Sequence, residues 1–192
     1  MTYTPLLWRA LVFRAVLFLF LFLCFSNALF AQKLAVKKSE MSFTSNAELE
    51  LIKASSDKVL GLIDPSSNQF AFTVEIASFQ GFNSQLQREH FNEKYMESDK
   101  YPKASFSGKI IEPVDFSSDR TYEVRAKGEL NIHGQKQTRI IKAKLMIDKG
   151  QVHIQSHFLV PLADHNISIP TIVSQKIATE IEVNFNATMA SQ

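Results

Sequence analysis

The chain has 192 residues, of which 45% are hydrophobic, 21% charged and 11% aromatic, and its formal net charge is +2. A chain this apolar is not intrinsically disordered, its single cysteine excludes a disulfide-stapled scaffold, and its length predicts one domain. Arg9 and Arg14 are the only charged residues within residues 1–31, so residues 32–192 carry equal numbers of basic and acidic side chains. A neutral globular part lacks the one-sided basic field that phosphate contacts need, which excludes a nucleic-acid partner.

Residues 1–31 have the pattern of an export signal. The two arginines precede an unbroken apolar run over residues 15–25, and small residues follow at Ala28 and Ala31. This order of basic, apolar and small residues is typical of a cleaved secretory signal peptide. We predict cleavage after Ala31, with cleavage after Ala28 as the second choice, and therefore a cysteine-free periplasmic or secreted protein with no stable membrane span. The alternative is an uncleaved anchor over residues 11–30.

The part of the chain that follows is predicted to be almost entirely strands. Residues 32–40 are predicted as a polar lead-in, and residues 41–192 as one β-barrel domain. Alternation of apolar and polar residues indicates strands over residues 41–45, 48–53, 58–63, 70–77, 104–111, 122–132, 139–147, 152–160 and 179–189. Asp148-Lys149-Gly150 is typical of a tight hairpin turn.

Only residues 83–96 depart clearly from this alternation of apolar and polar residues. Leu86, His90 and Phe91 recur there at helical spacing, which predicts one inserted helix of about three turns. Consecutive strands without alternating helices favour an all-β fold, either a closed antiparallel barrel of about eight strands or a sandwich.

The sequence lacks the common catalytic and metal motifs. It has no glycine-rich phosphate loop, no nucleophile elbow and no His-Glu-x-x-His, so we predict neither an enzyme nor a bound cofactor or metal. His153 and His157 share one strand face about 13 Å apart, too far for two ligands of one zinc ion. We expect both histidines, and the basic stretch over residues 136–144, to face solvent.

Aromatic side chains are frequent on the predicted strands. Six of the sixteen phenylalanines lie in residues 1–31, which leaves ten for the barrel. These rings either fill a close-packed core or line a ligand cavity, since barrels of about eight strands can be solid or hollow. The residues predicted to face the interior are Phe70, Phe72, Val74, Ile76, Phe106, Ile110, Tyr122, Val124, Leu130, Phe158 and Phe185.

Three motifs in the same order resemble the YceI-like family of bacterial secreted proteins. Residues 88–91 read Arg-Glu-His-Phe, residues 101–106 read Tyr-Pro-Lys-Ala-Ser-Phe, and residues 128–134 read Gly-Glu-Leu-Asn-Ile-His-Gly. Family members carry Arg-Asp-x-His-Leu, Tyr-Pro-x-x-x-Phe and Gly-x-Leu-Thr-Ile-x-Gly at similar spacing. The resemblance extends over about residues 43–189.

This resemblance implies a lipocalin-like, extended antiparallel barrel with one inserted helix, exported to the periplasm. It implies that the barrel holds a long isoprenoid lipid, polyprenyl or quinone-type, in its apolar interior for carriage or sequestration. Members of the family are often dimeric, so a homodimer is also implied. No catalytic activity is established for the family.

On this interpretation the interior residues named above line a lipid tunnel, and Arg88 and His90 are candidates for its polar end. A cation and a titratable donor at one mouth could hold a pyrophosphate or quinone oxygen. Alternatively, both side chains lie on the helix surface and fix the helix to the barrel. At residues 162–166 the chain departs from the family, where only Asp164 matches.

Two other functions stay open at this point. One is a non-enzymatic envelope scaffold with a solid core and a protein partner. The other is an enzyme built on the same barrel, in which Asp164, His165 and His90 converge at one mouth.

Overall fold

The computed structural model describes residues 32–192, so the predicted export signal, its cleavage site and the alternative anchor lie outside the described residues. Residues 32–192 form one compact unit. The strands described within this unit close into a complete barrel. None of the helices within residues 32–192 is long and apolar enough to cross a membrane.

Nine antiparallel strands are found within residues 32–192. They are β1 (Leu34–Asn46), β2 (Leu51–Ser56), β3 (Leu60–Asp64), β4 (Gln69–Glu75), β5 (Lys103–Ile110), β6 (Thr121–Ile132), β7 (Gln135–Asp148), β8 (Gln151–Pro161) and β9 (Glu180–Ser191). Strands β3 to β9 pair in sequence order, and β1 pairs with β9 and closes the ring. Because β2 and β3 share one edge of β1, the barrel has eight positions, which confirms the predicted eight-stranded closed barrel and excludes the sandwich.

Strands β2 and β3 are two halves of one interrupted strand. Met41 of β1 pairs with Ser56, and Leu34 pairs with Ile63, which is the same register on both sides of the interruption. The buried Ser39 donates its hydroxyl to the carbonyls of Asp57 and Val59, at 3.2 and 3.4 Å. The interrupted backbone therefore keeps hydrogen-bond partners, as buried backbone groups require.

Strand β1 begins at Leu34, so the structure corrects the polar lead-in predicted over residues 32–40. The pairing of β1 with β9 shifts between Val36 and Lys38, which marks a β-bulge with one extra residue. Val36 packs on the core before the bulge and Met41 packs on it afterwards, so the inward positions change from even to odd numbers. This change breaks the simple alternation by which a strand is detected from sequence.

The inserted helix lies in the long β4–β5 connection, where it is predicted. An α-helix, α1 (Gln85–His90), continues into a π-helical turn at Phe91–Tyr95. The hydroxyl of Ser84 accepts a hydrogen bond from the Gln87 amide at 3.2 Å, and Oε1 of Gln87 accepts one from the Asn83 amide at 3.0 Å. This reciprocal capping explains why a helix starts here in a chain of strands.

The barrel has two different ends. The closed end carries the β3–β4, β5–β6 and β7–β8 connections, and Ile63, Leu145, Val152 and Met189 fill it as fully buried side chains. The other end, called the mouth here, carries the β1–β2 loop, the β4–β5 connection with α1, the β6–β7 turn and the β8–β9 connection.

Candidate functional site

A cavity of about 530 Å³ occupies the barrel between the closed end and the mouth. Pockets that enclose small molecules commonly have volumes of roughly 300–1,000 Å³. The wall is formed mainly by aliphatic and aromatic side chains. A scaffold with a solid core would leave no such space, so the structure speaks against that alternative.

Small inward side chains keep the barrel hollow. Ala104, Ala126, Ala143 and Ser156 line the cavity from four consecutive strands, β5 to β8, and Ala143 pairs directly with Ser156. In a barrel of this strand number, larger side chains at these positions would fill the interior. The Ser156 hydroxyl donates to the Lys142 carbonyl at 2.7 Å, so its polarity is satisfied within the wall.

All but one of the predicted interior residues lie in the cavity wall. These are Phe70, Phe72, Val74, Ile76, Phe106, Ile110, Val124, Leu130, Phe158 and Phe185. Their contact with a ligand stays a prediction.

Tyr122 is the exception, because it lies near the closed end, beyond the cavity. Its ring packs against the core, and its hydroxyl lies 3.3 Å from the Asp115 amide, from which it accepts a hydrogen bond. The guanidinium carbon of Arg120 stacks 5.4 Å from the ring centre. Tyr122 therefore points inward, as its alternation predicts, but secures the β5–β6 connection instead of lining the cavity.

Four further phenylalanines, which were not predicted as lining residues, form one aromatic cluster in the wall toward the mouth. Phe43 stacks on Phe91 with ring centres 5.3 Å apart, and Phe82 lies 5.1 Å from Phe91. Phe79 completes the cluster at 5.5 Å from Phe43. Phe79, Phe82 and Phe91 lie outside the strands, so strand alternation gives no signal for them. Phe43 lies within the predicted strand over residues 41–45, where it alternates with the inward Met41.

The mouth combines this aromatic wall with polar groups from three separate segments. Gln87 and His90 come from α1, Glu50 from the β1–β2 loop and Lys176 from the β8–β9 connection. Nε2 of Gln87 donates to Oε1 of Glu50 at 2.9 Å. Glu50, Gln87 and Lys176 were not predicted as site residues, because residues so distant along the chain are brought together only when the barrel closes.

The two residues predicted for the polar end separate in the structure. His90 lines the cavity, one helical turn after Leu86 and Gln87. Arg88 is not part of the wall, and its guanidinium donates to the Ala77 carbonyl at 3.1 Å. Arg88 therefore fixes α1 to the neighbouring turn, as the alternative interpretation has it, because its position on the helix lies away from the face that carries His90.

With this geometry established, comparison with known proteins identifies the family. The family model described as "YceI-like domain" matches residues 29–189. The chain belongs to the YceI-like family. This match confirms the resemblance carried by the three motifs, while no curated protein matches the chain.

Solved structures share the YceI-like fold over most of their length. A polyisoprenoid-binding domain from Saccharophagus degradans, implicated in plant cell wall breakdown, is 16% identical with a TM-score of 0.70, covering 83% of this chain and 98% of that chain. BcnA from Burkholderia cenocepacia is 16% identical with a TM-score of 0.65, over 78% and 95%. A YCEI protein from Campylobacter jejuni is 18% identical with a TM-score of 0.53, over 70% and 80%.

Two of the YceI-like motifs meet in space at the mouth end. The Tyr101 ring packs edge-on against His133 with ring centres 4.6 Å apart. Gly134 has a φ of +70°, and a Cβ there would lie 2.5 Å from the Tyr101 ring. Glycine is therefore needed at the β6–β7 turn both for its backbone conformation and for the tyrosine that covers it.

The residues of the enzyme alternative do not converge in this YceI-like barrel. The Asp164 carboxylate lies 3.4 Å from the Arg139 guanidinium, and Nδ1 of His165 lies 3.2 Å from the Gln135 carbonyl. Within residues 32–192 no hydrogen bond joins either side chain to His90, and no group of three or more histidine and carboxylate ligands could hold a metal ion. On the outer face of β9, His153 forms a hydrogen bond with Thr188 and His157 forms one with Asn184.

Proposed function

We propose that this YceI-like protein is exported and binds a long isoprenoid lipid, of polyprenyl or quinone type, in its barrel cavity. The observation that carries the proposal is the mainly apolar cavity of about 530 Å³, which is closed at one end and has its charged lining residues at the mouth. The polyisoprenoid-binding domain from Saccharophagus degradans, which shares the fold, supports the same ligand class.

The two ends of the cavity suit the two ends of such a lipid. Each methylene-sized group moved from water into the wall contributes roughly 0.8 kcal/mol, so two isoprene units could supply several kcal/mol of binding free energy. His90, Gln87 and Lys176 at the mouth offer hydrogen-bond and charge partners for a polar head group. A neutral barrel exterior does not oppose a neutral lipid chain.

The direct test uses protein purified from the cells that export it. Intact-mass measurement of protein from the periplasmic or secreted fraction should place the mature N-terminus at Gln32. Extraction of the same sample with organic solvent, followed by mass spectrometry, should release a polyprenyl or quinone lipid. Recovery of no lipid, together with no binding of added isoprenoids, would contradict the proposed function.

A substitution that fills the cavity should abolish binding without altering the exterior. Ala143→Phe places a ring where a small side chain lines the cavity, so we expect at least about a tenfold loss of affinity for a fluorescent polyprenol, as displaced methylenes lose their apolar contacts. Ala71→Phe is the matched control, because Ala71 is exposed on the outer face of β4. Circular dichroism checks that both variants fold; equal affinity of a folded Ala143→Phe variant would place the ligand elsewhere.

A further inference from the structure

Three exposed apolar side chains stand around the mouth of the cavity. Ile172 is 92% exposed on a short 3-10 turn, Leu49 is 64% exposed on the β1–β2 loop, and Leu86 is 59% exposed on α1. Leu86 itself lines the cavity, Leu49 precedes the lining residue Glu50, and Ile172 precedes the lining residue Val173. We call Leu49, Leu86 and Ile172 the apolar rim.

Hydrogen bonds hold the three segments of the apolar rim together. The Leu49 amide donates to the Gln175 carbonyl at 2.8 Å, which joins the β1–β2 loop to the β8–β9 connection. Nδ2 of Asn83 donates to the Leu51 carbonyl at 3.0 Å, which joins the start of α1 to the other side of the same loop. The rim is therefore a connected arc and does not consist of three independent loop tips.

We propose that the apolar rim docks the mouth of the barrel onto a lipid bilayer, so that an isoprenoid chain passes between membrane and cavity without crossing water. This inference rests on the proposed function, because it names the route by which the ligand enters the same site. It also gives a role to Leu49 and Ile172, two exposed side chains that are not part of the cavity wall.

A bilayer fits this surface better than a folded protein partner does. The rim residues come from separate segments around an opening, and single apolar side chains of this kind insert into the interface of a bilayer. The acyl phase is then continuous with the apolar wall of the cavity. A protein seated on the rim would instead cover the opening through which a water-insoluble chain must pass.

Charge indicates which kind of bilayer the rim requires. Residues 32–192 carry equal numbers of basic and acidic side chains, and the charged residues that line the cavity at the mouth are one glutamate and one lysine. Attraction to anionic lipid therefore contributes little, and burial of the apolar rim supplies the free energy. Binding should then occur on neutral phosphatidylcholine and change little between low and high salt.

The test uses residues 32–192, which contain the complete barrel, and phosphatidylcholine vesicles with and without a polyprenol. The double variant Leu49→Ser, Ile172→Ser leaves Leu86 and the cavity wall intact. We expect about a tenfold or greater loss of vesicle binding by sedimentation, because two apolar side chains no longer leave water. Uptake of polyprenol from vesicles should slow by a similar factor, while affinity for polyprenol delivered in detergent stays unchanged.

The matched control is Leu60→Ser, Ile140→Ser, which removes side chains that are 67% and 55% exposed on the barrel wall away from the mouth. This control should bind vesicles as the unsubstituted protein does. Equal vesicle binding by the rim variant, or no vesicle binding by the unsubstituted protein, overturns the docking proposal. Failure to bind polyprenol from detergent overturns the proposed function instead, whatever the vesicles show.

Discussion

The side chain of His165 is completely buried. It lies in the 3-10 turn that follows β8. Its Nδ1 lies 3.2 Å from the Gln135 carbonyl, while its Nε2 is buried without a hydrogen-bond partner. Burial lowers the pKa of His165, and its bond to the Gln135 carbonyl opposes that effect only in part. The Ile132 carbonyl and the adjacent Asp164 also favour the charged form and Arg139 disfavours it, but burial outweighs the groups that favour the charge, so the pKa stays below its ordinary value.

This burial predicts a pH dependence of stability. Because the pKa of His165 is lower in the folded state than its ordinary 6.5, the unfolded chain binds the proton more readily. The free energy of unfolding should therefore be highest above pH 6.5 and fall as the pH drops toward the folded-state pKa. Urea denaturation of residues 32–192 at a series of pH values measures the slope.

His165→Asn keeps a donor for the Gln135 carbonyl but removes the titration, so the slope near pH 6 should become shallower. His157→Asn, at an exposed position on the outer face of β8, is the matched control and should retain the original slope. An unchanged slope in the His165→Asn variant would assign the pH dependence to other groups.

At the scale of elements, β5 and β6 face each other through a pair of glycines. Gly108 pairs with Gly128 in the ladder, and a Cβ on Gly108 would overlap the Lys127 carbonyl of the facing strand. A Cβ on Gly128 would overlap the Ser107 carbonyl in the same way. Glycine inside a strand commonly marks such a close approach or a sharp bend in a barrel.

The sign of the change in unfolding free energy caused by Gly108→Ala tests this close approach. Replacing a strand glycine by alanine ordinarily stabilises a protein by roughly 0.5–1 kcal/mol. Gly108→Ala should instead destabilise the barrel by about 1–3 kcal/mol, because backbone atoms must move to admit the methyl group. Ser107→Ala, at an exposed neighbouring position, should change the stability by no more than about 0.5 kcal/mol. Stabilisation by Gly108→Ala in chemical denaturation would show that the strands separate easily there.

At the scale of the whole molecule, the cavity leaves the core of the unoccupied barrel incomplete. A ligand that binds the folded state alone stabilises it by about 2.7 kcal/mol at a hundred times its dissociation constant. For a domain of this size each kcal/mol corresponds to roughly 2–4 °C in the unfolding midpoint. We therefore expect the delipidated barrel to unfold about 5–11 °C below the polyprenol-loaded barrel by scanning calorimetry.

The Ala143→Phe variant provides the control for that measurement. Its partly filled cavity should make the midpoint rise clearly less with added polyprenol, while Ala71→Phe should respond as the unsubstituted protein does. A shift of equal size in the Ala143→Phe variant would mean that the lipid stabilises the protein from outside the cavity.

The sequence by itself determined the strands and the inserted helix, since both follow from local periodicity. Phe70 and Phe72 alternate along β4, and Leu86, His90 and Phe91 recur at helical spacing, so each segment shows which of its faces is buried. The YceI-like motifs are likewise short runs of neighbouring residues. The bulge in β1, which changes the inward positions within a strand, concealed the start of that strand at Leu34. The start of β7 at Gln135 was also missed, because its first four residues are all polar.

The tertiary structure alone decided where along the barrel each inward residue lies and what stands opposite it. Tyr122 and Phe106 have equally regular alternation, yet one secures the closed end and the other lines the cavity. The cavity depends on small residues of neighbouring strands, and the mouth on Glu50, Gln87 and Lys176 from three separate segments. Periodicity reports the direction of a side chain relative to its own strand, whereas a cavity depends on distances between strands that only the closed barrel sets.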